Sequence, residues 1–115
     1  ISIYRLSDIF IFASFIETFG IVLIEAMAAG LPVITSDGPG CIDIVEGGMC
    51  GRVIPPLNID QYANEIIFFK NNKDMMTSYQ HLGKERASQF SWDIVVEKYC
   101  DLYKKLVKTK PQVLE

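Results

Sequence analysis

Two short apolar runs flank a longer apolar segment that ends in helix-stop residues, and few folds accept that order. Asp8-Ile9-Phe10-Ile11-Phe12-Ala13 is β-branched, aromatic and apolar on both faces, which predicts a strand set centrally in a parallel sheet. Residues 14–18 read as a loop. Residues 19–29 read as a helix, with Thr18 as its N-cap and Gly30 as its stop ahead of Pro32. Pro32-Val33-Ile34-Thr35 is a second buried strand. The unit is β-loop-α-β with short connections, the right-handed crossover of an α/β sheet.

Beyond it, Ser36-Asp37-Gly38-Pro39-Gly40 reads as a turn-rich loop and residues 41–46 as a short helix stopped by Gly47-Gly48. Residues 51–55 form a third short strand, closed by Pro55-Pro56. From there the apolar period becomes helical. Asn58 caps a helix with Ile59, Tyr62, Ala63, Ile66 and Phe69 inward, and Gln61 stands where a capping box needs it. A second helix spans 73–89, with Met76, Tyr79, Leu82 and Ala87 inward. Ser91 caps a third, whose inward stripe is Trp92, Val95, Val96, Tyr99, Tyr103 and Leu106. The chain thus divides into an α/β portion (1–57), a helical portion (58–108) and a frayed tail (109–115). The helical portion carries no clustered reactive groups and reads as scaffold; its lone His81 is a packing or surface residue.

Composition removes several classes of function. Half of the 115 residues are hydrophobic, enough for a core and incompatible with low-complexity disorder. A net charge of -3 offers no footprint for nucleic acid or an anionic membrane. Three cysteines, Cys41, Cys50 and Cys100, and one histidine fit neither a disulfide scaffold nor a zinc site, and suit a reducing compartment. Asp37 and Asp43 suit capping, with no metal-binding constellation around them. No apolar run can span a bilayer. The chain opens at Ile1 with no Met and no signal-peptide pattern, which predicts a fragment of a longer protein.

Chemistry concentrates in Glu17-Thr18-Phe19-Gly20-Ile21-Val22-Leu23-Ile24-Glu25. Glu25 is the only ionisable side chain between Thr18 and Thr35. A carboxylate in so apolar a run is costly to bury unless something hydrogen-bonds or neutralises it. It is therefore either a structural ion-pair member or a ligand-facing group. Eight helical residues would rise ~12 Å, against the roughly 5–9.5 Å of a glycosidase pair. Glu17 precedes the helix, so the separation is not fixed by this spacing, but it argues against a shared-proton dyad and better suits a long ligand. Between the carboxylates lies a helix N-terminus whose N–H groups near Phe19, Gly20 and Ile21 form an anion site, at the sheet edge where open α/β folds bind ligands. An anion flanked by hydroxyls at both ends describes a nucleotide diphosphate-sugar. The bland alternatives are a dipole partner for Glu17, an ion pair for Glu25, and a plain chain turn for Gly38-Pro39-Gly40.

At these residues the sequence resembles retaining GT-B glycosyltransferases of the large family-4 type. Their hallmark reads here Ser14-Phe15-Ile16-Glu17-Thr18-Phe19-Gly20, then Glu25-Ala26-Met27-Ala28-Ala29-Gly30-Leu31-Pro32-Val33. Residues 40–45, Gly51-Arg52-Val53-Ile54-Pro55-Pro56 and Phe90-Ser91-Trp92 continue the likeness in order. Pro39, Ile42 and Asp43 depart from the usual Gly, Pro and Glu.

The resemblance implies a partial Rossmann-like parallel sheet lobe, the C-terminal half of a GT-B donor-binding domain, followed by C-terminal helices. It implies that Glu17 contacts the donor sugar and is the catalytic carboxylate. Thr18, Phe19, Gly20 and Ile21 would hold sugar and diphosphate, and Glu25 would bind the ribose. The donor would be a nucleotide-diphosphate-sugar, the acceptor a carbohydrate or lipid-linked molecule, with no metal and no other cofactor. The family's phosphate-neutralising Arg and Lys lie upstream, and Arg5 and Arg52 do not match them. This piece alone should be inactive. The implied setting is cytoplasmic, with any membrane contact, peripheral at the inner face, made through the absent N-terminal domain. A GT-B sugar-nucleotide epimerase and a non-catalytic GT-B binding module are the alternatives. No Gly-x-Gly-x-x-Gly follows a strand, which disfavours a nicotinamide-binding domain.

Overall fold

A computed structural model describes residues 2–108, so the expected frayed tail at 109–115 lies outside the described residues. In chain order the elements are α1 (Ser2–Arg5), β1 (Phe10–Phe12), α2 (Ile21–Ala28), β2 (Val33–Ser36), α3 (Pro39–Ile44), a 3-10 turn (Glu46–Gly48), β3 (Arg52–Ile54), α4 (Ile59–Asn71), α5 (Lys73–Ser88) and α6 (Trp92–Lys108). The architecture is α/β, as the alternation of apolar runs and helix stops requires.

The sheet is three-stranded and parallel, in the order β1-β2-β3. Phe10, Ile11 and Phe12 pair with Val33, Ile34 and Thr35; Ile34, Thr35 and Ser36 pair with Arg52, Val53 and Ile54. Alternate side chains of β2 enter different cores. Val33 joins Leu23, Ala26, Met27, Leu31, Cys41, Ile44 and Val45, whereas Ile34 joins Ile54, Tyr62 and Phe69. Helices therefore cover both faces, which parallel strands need. β2 is buried along its whole length, but β1 lies at an edge and leaves Ile11 42% exposed. The expected central position for β1 is thus corrected: among the described residues no strand pairs beyond it.

Helix ends follow local chemistry, with two corrections. α2 stops in a Schellman arrangement: Leu31 N–H donates to Ala26 O (3.0 Å), Gly30 N–H donates to Met27 O (2.9 Å), and Gly30 takes φ 88°. Its start is Gly20, not Thr18, and no side chain caps it. For α4, Asn58 Oδ1 accepts from Gln61 N–H at 3.2 Å, as expected. The reciprocal half of the capping box is missing because Asn58 N–H is already taken by Pro55 O at 3.0 Å; Gln61 Oε1 instead accepts from Asn58 Nδ2.

The inward faces also needed adjustment. α4 buries Tyr62 and Phe69 and turns Glu65 to a bidentate pair with Arg52, so Ile59, Ala63 and Ile66 remain exposed. On α5, Gly83 rather than Leu82 faces α2; a Cβ there would lie 3.1 Å from Met27 Cγ. The largest departure is α6. Of the expected stripe, Val95 is half-buried beside Phe19 and Ile21, whereas Trp92, Val96, Tyr99, Tyr103 and Leu106 are all more than half exposed. Cys41 and Cys50 are buried thiols and Cys100 is exposed; all three are unpaired. Burial, with the nearby Glu46 charge, pushes the Cys50 thiol up, which suits an inert packing residue.

Candidate functional site

Two loops leave the carboxyl ends of β1 and β2 and lock together. Thr35 Oγ1 donates to Phe12 O at 3.2 Å, and Ser36 Oγ donates to Ser14 O. Ser14 Oγ in turn donates to Ile16 O at 3.0 Å, tightening the first loop on itself. The second contact is steric. A Cβ on Gly40 would stand 2.6 Å from Glu17 O, 2.7 Å from Thr18 C and 2.8 Å from Phe19 N. Only glycine lets the start of α3 seat against this backbone. The Gly38-Pro39-Gly40 cluster is therefore more than a turn: it supports the loop that carries Glu17.

Within that loop the half-exposed Glu17 folds back onto its own main chain. Its Oε1 accepts from Thr18 N–H at 3.0 Å and Phe19 N–H at 3.3 Å. These bonds, with a contribution from Gly20 N–H, hold its carboxyl below the ordinary value; the Phe19 N–H is the largest cause. Gly20 has φ 70° and ψ 42°, a left-handed geometry that glycine adopts without strain, and it turns the chain into α2. The N–H groups read from sequence as an anion site are thus present, and in this structure the anion on the Phe19 N–H is Glu17 itself.

Glu25 stands five residues beyond Gly20, ~7.5 Å along the helix. It is exposed, so the premise of a buried carboxylate is corrected: α2 buries Leu23, Ala26 and Met27 and turns Glu25 outward. Its Oε2 accepts from the Tyr4 hydroxyl at 3.0 Å. Tyr4, Arg5, Glu25, Ala28 and Ala29 line a cavity of about 380 Å³. On its other side Glu25 borders a more apolar cavity of about 370 Å³ with Phe19, Ile21, Ile24, Phe90, Trp92 and Val95. One loop-helix unit thus holds Glu17, Thr18, Phe19, Gly20, Ile21 and Glu25, with Glu25 on the rim between two cavities.

Support comes from α5. Arg86 donates to Asp43 O (2.8 Å) and Ile44 O (2.9 Å) and pairs with Glu46 at 3.0 Å, tying α5 to the far end of α3. Its guanidinium lies 4.7 Å over Phe90, whose ring meets Phe19 edge-on at 6.0 Å. Arg52 and Arg86 are thereby engaged in structural bonds. His81 is exposed on α5. Sequence reasoning missed Tyr4, whose four-residue helix has no periodic signal. It also missed Phe90 and Trp92 as cavity walls, although their aromatic spacing around Ser91 was visible.

The fold and this sheet edge define an α/β lobe with a parallel sheet whose carboxyl edge is set for ligand binding. The family model for glycosyl transferases group 1 matches residues 1–87, and the chain belongs to that family. It is 29% identical over 97 residues to a phosphatidyl-myo-inositol mannosyltransferase of Mycobacterium leprae, covering 84% of this chain and 26% of that protein. It is 32% identical over 109 residues to the capsular polysaccharide biosynthesis glycosyltransferase CapM of Staphylococcus aureus, covering 94% and 29%. Among solved structures, sucrose-phosphate synthase from Thermosynechococcus elongatus superposes with TM-score 0.84 at 29% identity, over 94% of this chain and 27% of that one. The chain spans about a quarter of the length of these relatives. Among the described residues, no helix is long and apolar enough to cross a membrane.

Proposed function

We propose that this chain is the C-terminal part of a retaining, family-4-type glycosyltransferase, supplying one wall of its nucleotide-diphosphate-sugar site. The observation that carries this reading is the Glu17 carboxylate, held by the N–H groups of its own loop at the carboxyl edge of the sheet. An ionised carboxylate is an acceptor only, suited to sugar hydroxyls. Glu25, one helical segment away, would accept from ribose hydroxyls. The diphosphate would lie between them, against the start of α2, where the helix dipole favours negative charge. A phosphate placed there must avoid the Glu17 carboxylate, because like charges repel, so Glu17 turns toward the sugar.

The reaction moves a glycosyl unit to a carbohydrate or lipid-linked acceptor by front-face attack, with the diphosphate assisting proton removal. Charge on the leaving group would be balanced by basic residues outside this chain and by the helix end, without a bound metal. Since Arg52 and Arg86 are committed elsewhere, the 115 residues alone would bind donor weakly and would not turn over. The reading places the enzyme in the cytoplasm, with any membrane contact made by the remainder of the protein.

Alanine substitution of each carboxylate in the full-length enzyme tests this. Losing a hydrogen bond to a charged group costs about 1.5–3 kcal/mol, so Glu17→Ala and Glu25→Ala should each lower kcat/KM roughly ten- to a hundredfold. Near-normal kinetics in both variants would sink the assignment. Product analysis with a labelled nucleotide-sugar separates transfer with retained anomeric configuration from epimerisation.

A further inference from the structure

We infer that Tyr4 is a positioning residue for Glu25, an inference that rests on the ribose-binding reading of that carboxylate. Glu25 projects from the exposed face of α2, where an unrestrained glutamate samples several rotamers and must be ordered when a ligand binds. Tyr4 removes part of that freedom from outside the helix. It lies 21 residues upstream, on α1, and its hydroxyl donates to Glu25 Oε2 at 3.0 Å. A hydrogen bond to an ionised acceptor is among the stronger ones.

The donor is itself fixed. The Tyr4 ring meets Phe10 of β1 edge-on, at 5.7 Å and 68°, and β1 is in register with β2. The phenol therefore refers the carboxylate to the sheet, the same frame that sets the Glu17 loop. Burial, then the bond to Glu25 and its charge, push the Tyr4 hydroxyl up, the direction that favours the protonated, donating form. A carboxylate offers about four acceptor directions, and Tyr4 uses one of them. The others stay available on a residue that borders the cavity shared by Tyr4, Arg5, Glu25, Ala28 and Ala29, where a vicinal diol would be received.

Tyr4→Phe isolates the effect, since it keeps the ring against Phe10 and deletes only the O–H. The full-length enzyme is assayed with UDP-, GDP- and ADP-glucose. Tyr4→Phe should raise KM for the donor roughly tenfold, with kcat within about twofold. In a Glu25→Ala background the same change should do nothing further, because there is no carboxylate left to orient. If Glu25→Ala raises KM and Tyr4→Phe does not, or if Tyr4→Phe acts equally in both backgrounds, this inference is overturned and the Glu25 reading stands. A fall in kcat at unchanged KM marks loss of folded enzyme and overturns it too. If Glu25→Ala leaves the donor KM unchanged, the underlying reading fails and Tyr4 loses its role with it.

Discussion

The sheet edge that carries Glu17 and the C-terminal helix α6 hold their side chains in opposite ways. At the edge, little is deeply buried: Glu17 is half-exposed and Phe19 is 50% exposed, yet the backbone is fixed by loop-to-loop hydrogen bonds and by the seat of Gly40 against residues 17–19. On α6 the apolar pattern is clear in the sequence, yet Tyr103 is 63% exposed and Val107 is 69% exposed. The difference is between geometry set by main-chain contacts and an apolar pattern that leaves Val96, Tyr99 and Tyr103 more than half exposed. Periodicity tells which face of a helix is apolar; it does not supply the surface opposite.

Gly40→Ala gives the comparison its hardest test and has the largest expected effect on stability. Alanine favours a helix interior over glycine by about 1 kcal/mol, so on propensity alone the change at α3 would stabilise. The added Cβ would meet three backbone atoms at 2.6–2.8 Å, none of them the end of a flexible side chain. Overpacking of this kind costs about 1–3 kcal/mol and forces the backbone to shift. Urea unfolding should show a net loss of about 1–2 kcal/mol, and the displaced Glu17 loop should lower donor use in the full-length enzyme. A neutral or stabilised Gly40→Ala variant would mean that the two loops are not interlocked.

Glu17→Gln probes the same loop through pH, with a smaller effect. Glu17's folded carboxyl sits below its ordinary value because Phe19, Gly20 and Thr18 N–H groups favour the ionised form. A depressed pKa contributes stability that is present above the unfolded value, about 4.3, and is lost as pH falls through the folded value. Wild type should therefore exceed Glu17→Gln in stability at pH 7, and the gap should close at pH values below the ordinary carboxylate range. Denaturant melts at pH 7 and pH 3 measure it. A gap that stays constant across that interval would show that the carboxylate does not rest on those N–H groups.

These tests fall where the sequence was only partly legible. The β-loop-α-β order was readable because the apolar runs and the Gly30-x-Pro32 stop are local signals, and β2 and α2 formed within one or two residues of expectation. The Glu17–Glu25 segment was legible as a site candidate because charge is scarce there. What could not be read depended on distant chain. Asn58 N–H had another partner, β1 had no neighbour on one side among the described residues, and Gly40's role required knowing that residues 17–19 pass 2.6–2.8 Å from its missing Cβ. Tyr4 reaches Glu25 across 21 residues, from a helix of four.

The smallest expected effect belongs to α6. Tyr103 was expected inward, at a position where a buried tyrosine truncated to a small polar residue would cost several kcal/mol, about 3–5 by analogy with other large core aromatics. At 63% exposure that penalty has no basis. Tyrosine and serine also have similar helix propensities, and the ring contact at stake is the tilted one between Tyr99 and Tyr103 at 6.4 Å. Tyr103→Ser in the 115-residue chain should change unfolding stability by no more than about 0.5 kcal/mol, read by urea titration at two protein concentrations. A loss above about 1 kcal/mol that grows with protein concentration would mean a second copy covers the stripe. A loss of that size independent of concentration would mean that α6 folds back onto its own chain. Either result would erase the contrast between a sheet edge held by its backbone and a helix whose apolar face lies open.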